Sequence, residues 1–199
     1  MSLALLVLLP LTLLFSVARA DLANLTIDDT NTTYWVWLNS WTAITPTLPC
    51  PGCAAQPDST SVYNRTWHDG TLVSGIFNFQ GTAVYIYGID IPKQFAANIQ
   101  FNLFSNWSVA GLHTYSGSEY VYDSLFFSAT NLNSSVPDGV HWTIKTSEVG
   151  QAALFDYAKV TVDDANSTDV GSEPPTGQSS GNSGTTGSYI SSSFFVPTN

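Results

Sequence analysis

The side chains of this sequence that could do chemistry are few and scattered. Three histidines, His68, His113 and His141, stand at separations that match no metal-ligand motif. His68 adjoins Asp69, but consecutive side chains on a turn seldom form a proton-transfer dyad. The one Gly-x-Ser-x-Gly string, Gly177 to Gly181, falls in the Ser/Gly-rich stretch and not between a strand and a helix, so it is no nucleophile elbow, and no phosphate-cradling glycine loop is present. A glycosidase needs two carboxyl groups at a set separation, and nothing singles out such a pair here. The expectation is a protein that is not an enzyme, with no catalytic residue and no cofactor assigned.

Two acidic doublets, Asp28-Asp29 and Asp163-Asp164, lie near the ends of the patterned region. Terminal strands of a sandwich often pair. If pairing gathered these four carboxylates, a structural Ca²⁺, which takes about six to eight oxygen ligands, would relieve their repulsion. The alternative is two solvated acidic turns. Asp156 stands inside an apolar stretch, so it must be exposed at a bulge or hydrogen-bonded to backbone N–H groups or tyrosine hydroxyls.

The stronger binding signal is aromatic. A pyranose stacks its apolar C–H face on an exposed ring while polar side chains read its hydroxyls. Trp142 falls in the alternating phase of a strand, and Trp35 and Trp37 share one face, so these three read as core. Trp107 lies beside the Asn106 glycosylation sequon, and Tyr115 and Tyr120 fall near Gly117. The candidates for a sugar platform are Trp107, Tyr115, Tyr120 and Trp41. Against each stands the plainer reading that the ring packs partly into the core. A glycan on Asn106 would also crowd Trp107.

The elements that must position these residues read as strands. Phe77 and Phe79 alternate with polar residues, Gly81 marks a turn, and Val84 and Ile86 alternate with Tyr85 and Tyr87; the pattern predicts a hairpin. Ile99, Phe101 and Leu103 alternate with Gln100 and Asn102, and Val140, Trp142 and Ile144 with His141 and Thr143. In the last strand the phase slips by one residue near Tyr157, as a β-bulge would produce. The expected architecture is an all-β antiparallel sandwich or jelly roll over residues 22–164. Four prolines between Thr45 and Thr60 predict a long ordered loop. Within it, Cys50-Pro51-Gly52-Cys53 predicts a type II turn closed by a disulfide.

Composition bounds the partners. The 199 residues carry 15 acidic and 5 basic side chains, a net charge of -10 that leaves no footprint for phosphate backbones. Nucleic acid is excluded as a partner. Residues 1–20 pattern as a signal peptide, an apolar run ending in Ala18-Arg19-Ala20. Six sequons, at Asn24, Asn31, Asn64, Asn106, Asn133 and Asn166, agree with export. Residues 165–199 are rich in Ser, Thr and Gly and read as a disordered tail. The final apolar cluster, Phe194 to Val196, is too short to span a bilayer. A secreted, extracellular, soluble and monomeric glycoprotein is expected.

The series Trp67-His68-Asp69-Gly70, Phe79 to Gly88, Leu125-Phe126-Phe127, Gly139 to Ile144 and Phe155-Asp156-Tyr157 resembles one known group. It is similar to the galactose-binding-like jelly-roll ectodomains of secreted and single-pass membrane proteins of mushroom-forming fungi. A Gly-x-His strand followed by an Asp-Tyr strand also occurs in related carbohydrate-binding modules. The resemblance covers most of residues 60–164 and rests on framework positions. It implies the sandwich fold and a glycan ligand. The functional expectation is a non-catalytic carbohydrate-binding sandwich, with cell-wall polysaccharide as the partner. A structural or protein-interaction ectodomain without a small ligand is the alternative.

Overall fold

The computed structural model describes residues 22–53, 55–107, 110–146 and 150–163. The expected signal peptide at 1–20, Asp164, the Asn166 sequon and the expected tail at 165–199 lie outside the described residues. The expected antiparallel β-sandwich is present, with eleven strands among the described residues. These are β1 (Leu22–Asp28), β2 (Trp35–Leu38), β3 (Thr42–Ile44), β4 (Trp67–Gly70), β5 (Ser74–Phe79), β6 (Ala83–Asp90), β7 (Asn98–Leu103), β8 (Ala110–His113), β9 (Val121–Thr130), β10 (Asp138–Lys145) and β11 (Ala153–Asp163). One sheet runs β3-β4-β11-β6-β9, with β1 also paired to β11; the other runs β2-β5-β10-β7-β8. Among the described residues no helix is long and apolar enough to cross a membrane.

The inward halves of the alternating strands meet between the sheets. Phe77, Val84, Ile86, Ile99, Phe101, Val140, Trp142 and Phe155 are all essentially inaccessible to solvent. Trp35 and Trp37 do share the inner face, their rings stacked 5.0 Å apart. Trp142 reaches across β5 at Gly75, where a Cβ would stand 2.3 Å from the indole. Only glycine leaves room for the ring there.

The Phe77–Gly88 stretch is two strands, as the pattern predicts, but not a hairpin. β5 belongs to one sheet and β6 to the other. Alternation reports which face is buried, not which strand is the partner. Both strands bury their apolar face in the same core from opposite sides. The connection at Gly81-Thr82 is anchored to β11, with Thr82 N donating to Thr161 O at 2.7 Å.

The phase slip in β11 is a real irregularity. Its pairing with β6 shifts between Phe155 and Tyr157. Before the slip, Leu154 faces outward into a second apolar cluster with Ile44, Val62, Trp67 and Ile89; after it, Ala158 and Val160 face the main core. The proline-rich loop covers that second cluster. Tyr120 and Tyr122 hold it down, their hydroxyls accepting hydrogen bonds from Gln56 N at 2.9 Å and Asp58 N at 2.7 Å. Cys50 and Cys53 form the expected disulfide, and Cys53 N donates to Cys50 O at 3.1 Å. The turn is not type II, because Gly52 stays out of the left-handed region that type II demands. Proline at the second position suits types I and II equally, so Pro51 cannot choose between them.

Candidate functional site

The outward face of the five-stranded sheet is where amides and rings accumulate. Strand pairing aligns Val36, Ile76, His141, Asn102 and Ala110 in one row across all five strands. The next row is Leu38, Ser74, Thr143, Gln100 and Leu112. Beyond it Lys145 stands opposite Asn98, and on the other side Asn78 stands opposite Gly139. Rows on one face are spaced about 7 Å along the strands, and strands about 4.8 Å apart. Down the middle runs a polar stripe: Asn98, Gln100 and Asn102 on β7, flanked by His141, Thr143 and Lys145 on β10. Among the described residues, the side chains of Asn98, Gln100, Asn102 and Thr143 have no hydrogen-bond partner. Their donors and acceptors are open to a ligand.

Rings close one end of this stripe. Phe104 follows β7 directly, and its backbone N–H donates to Gly139 O at 2.8 Å. Its ring lies over Gly139, where a Cβ would come within 2.7 Å of it. Trp107 is 60% exposed and tilts against Phe104, with ring centres 5.6 Å apart. On the other side Phe104 stacks on His141 at 6.3 Å. Partial burial lowers the His141 pKa, so the neutral imidazole offers one donor and one acceptor. Asp138 is occupied at this end, accepting from Ser105 N at 3.0 Å, Ser105 Oγ at 2.5 Å and Gly139 N at 2.7 Å.

The four platform candidates are not brought together. Trp107 alone joins the exposed face. Trp41 packs against Trp37 and Phe155, and its Nε1 donates to Ser74 O at 2.8 Å. Tyr120 secures the proline-rich loop. Tyr115 closes its own loop, donating to Glu119 O at 2.9 Å. Phe104, His141 and the β7 amides do not stand out in the sequence as binding residues, because their alternation reads first as the polar half of a strand. The signal available was three consecutive amides on one face, Asn98, Gln100 and Asn102.

Asp28 and Asp163, one from each acidic doublet, are also separated. β1 and β11 do pair, but Asp28 lies opposite Tyr157 and Asp163 opposite Leu22, at opposite ends of the ladder. Six residues of strand put them roughly 20 Å apart. Asp28 and Asp163 each close the C-terminal end of their strand, and antiparallel pairing sets those two ends apart. Asp163 instead accepts from Ser134 Oγ at 2.8 Å. No group of metal-ligating side chains forms among the described residues.

Asp28 and Asp29 serve a buried polar network that the sequence did not reveal. Asp29 is inaccessible to solvent; its carboxylate lies 2.5 Å from His68 Nδ1 and accepts from Thr66 Oγ1 at 2.6 Å. Trp37 stacks flat on the His68 ring at 4.0 Å. Burial pushes the Asp29 carboxyl up, against those hydrogen bonds. Asp28 is held below its usual value, because hydrogen bonds from Thr30 and Asn64 outweigh its partial burial. Asp156 is the third member: fully buried, it accepts from Tyr63 N at 3.3 Å through Oδ2, while Oδ1 has no partner. Burial raises its pKa to about 8. The backbone N–H bond at a bulge matches the sequence expectation for Asp156.

A second histidine pair sits elsewhere. Asp90 lies between His113 Nε2, at 2.7 Å, and Ser124 Oγ, which donates to it at 2.5 Å. Here the carboxylate is central and the serine does not touch the histidine. Nucleophilic catalysis requires the reverse order, with the base between nucleophile and acid. Three carboxyls are pushed up by burial, Asp29, Asp69 and Asp156, and of these Asp29 and Asp156 are sealed from solvent.

No protein-family model matches this sequence, and no curated protein does. Among solved structures, the chain is similar to a Podospora anserina GH26-CBM35 β-(1,4)-mannanase, with 12% identity and a TM-score of 0.39. The likeness covers 79% of this chain and 29% of that one, so the chain spans under a third of that structure's length.

Proposed function

We propose that the outward face of the five-stranded sheet binds a carbohydrate chain without altering it, in an exported, glycosylated protein. One observation carries this reading: a row of partnerless amides, Asn98, Gln100 and Asn102, leads directly to the exposed rings of Phe104 and Trp107. Amides donate and accept at once, which suits sugar hydroxyls, and rings take the C–H face. An extended face suits a polymer better than a single sugar. The Cys50–Cys53 disulfide is compatible with an oxidising compartment. The five described sequon asparagines are all exposed, and none lies in the rows of the proposed face; Asn106 borders it beside Trp107.

The test is a titration with chito-, gluco- and manno-oligosaccharides, followed by NMR. The Trp107 indole N–H and the side-chain amides of Asn98, Gln100 and Asn102 should shift with one sugar class, while the Trp35 indole stays still. Shifts confined to other surfaces, or none with any sugar, would favour the alternative of a protein-interaction ectodomain.

A further inference from the structure

A cavity of about 230 Å³ opens on the six-stranded sheet, lined by Ser40, Thr42, Cys53, Asp69, Thr71 and Gly150 among others. Asp69 comes from β4, where it pairs with Thr42 of β3 and Leu154 of β11. Its neighbours in the strand, His68 and Gly70, are committed: the first to Asp29, the second to close packing against Trp41. Asp69 itself is over nine-tenths buried, and among the described residues its carboxylate has no hydrogen-bond or ionic partner. Burial alone pushes its pKa up to about 6. The disulfide-closed turn supplies one wall, through Cys53.

A buried carboxylate without a partner is costly unless something compensates it. Among the described lining residues none is Lys, Arg or His, and the Asp69 oxygens are not among the sealed, unpartnered atoms of the described fold, so a cation entering the cavity can reach them. The remaining polar lining residues are Ser40, Thr42 and Thr71, each of which carries a hydroxyl. One carboxylate and a few hydroxyls are too few anionic oxygens for Ca²⁺, which prefers several carboxylates and about six to eight ligands. They do suit a group with one positive charge and only donors. An ammonium has three N–H donors and no acceptor. We infer that this cavity binds a small primary amine through its ammonium group, with Asp69 as the counter-ion and the hydroxyls of Thr42, Thr71 and Ser40 as further acceptors. Its volume is below the roughly 300 Å³ at which pockets for drug-sized ligands begin, which favours a ligand the size of one amino sugar. The site is on the other sheet from the proposed glycan face and does not depend on it.

The test uses the whole chain with three matched probes: glucosamine, N-acetylglucosamine and glucose. Glucosamine alone carries the free ammonium. Calorimetric titration should show one saturable site for glucosamine, with the two neutral sugars at least about tenfold weaker. Asp69→Asn should lose at least about tenfold for glucosamine with its near-ultraviolet circular dichroism unchanged. Equal binding of glucose and glucosamine, no saturable binding, or full binding by Asp69→Asn would each overturn the proposal. Should Asp69→Asn fail to fold, amide shifts of the unaltered chain decide. Perturbation at Thr42, Gly70 and Gly150 upholds the site, and perturbation only elsewhere overturns it.

Discussion

Two tryptophans of this chain illustrate how burial separates framework from surface. Trp142 is fully buried over Gly75 and surrounded by rings, so Trp142→Ala should destabilise the fold by about 3–5 kcal/mol in denaturant unfolding. Trp107 touches little besides Phe104, and Trp107→Ala should change stability by no more than about 0.5 kcal/mol. Asp156 sets a different residue-scale expectation, one of pH. Its folded pKa, about 8, lies well above the ordinary value of 3.8, so the folded chain holds a proton that the unfolded chain releases. Its contribution is fully present below about pH 4 and is lost as pH rises through about 8. Asp69, raised to about 6, acts in the same direction over a narrower window. The melting temperature should therefore fall between pH 5 and 8, roughly speaking, and Asp156→Asn should flatten most of that fall. An unchanged slope in Asp156→Asn would sink this account of the buried carboxyl. The buried acidic network was not legible beforehand, because the Asp29–His68 contact joins residues 39 positions apart. The sequence shows only that Asp156 interrupts an apolar run.

At the scale of elements, alternation identified which side chains of β7 and β10 face the core. It could not identify neighbours. β5 and β6 look like a hairpin because they are short, alternating and separated by a glycine, yet each lies in a different sheet. Strand pairing depends on long-range packing, and a local pattern contains no term for it. The bulge in β11 was legible because it moves the buried set itself, from Phe155 to Ala158. The proline-rich loop makes a further element-scale prediction. A disulfide closing so short a loop contributes about 2 kcal/mol at most, so replacing both cysteines by serine should leave the sandwich folded. Hydrogen exchange should then accelerate in residues 45–66 and not in β7 or β10. At the junction of β7 and β10, Gly139→Ala should force the Phe104 ring off the sheet and weaken binding of the oligosaccharide that shifts Trp107. Uniform binding by Gly139→Ala would mean that Phe104 is not part of the platform.

For the molecule as a whole, the two sheets have divergent surfaces. The six-stranded sheet carries the proline-rich loop, the buried acidic network and the Asp69 cavity. The five-stranded sheet presents open rows of amides and hydroxyls ending in two exposed rings. Fold class was legible because an aromatic-rich, charge-poor chain with recurrent period-two patterning has few ways to bury its apolar half. The binding face was only partly legible: Trp107 stood out beside its sequon, whereas the amide rows appear once β7 is laid against β10. The most direct measurement is retention of the purified chain on insoluble chitin, β-glucan, mannan and cellulose, beside the Phe104→Ala/Trp107→Ala double variant. Binding through the five-stranded face predicts selective retention of the unaltered chain, competed off by the matching oligosaccharide, and loss of retention in a double variant that still folds. Equal retention of both proteins, or retention of neither on any polymer, would contradict it.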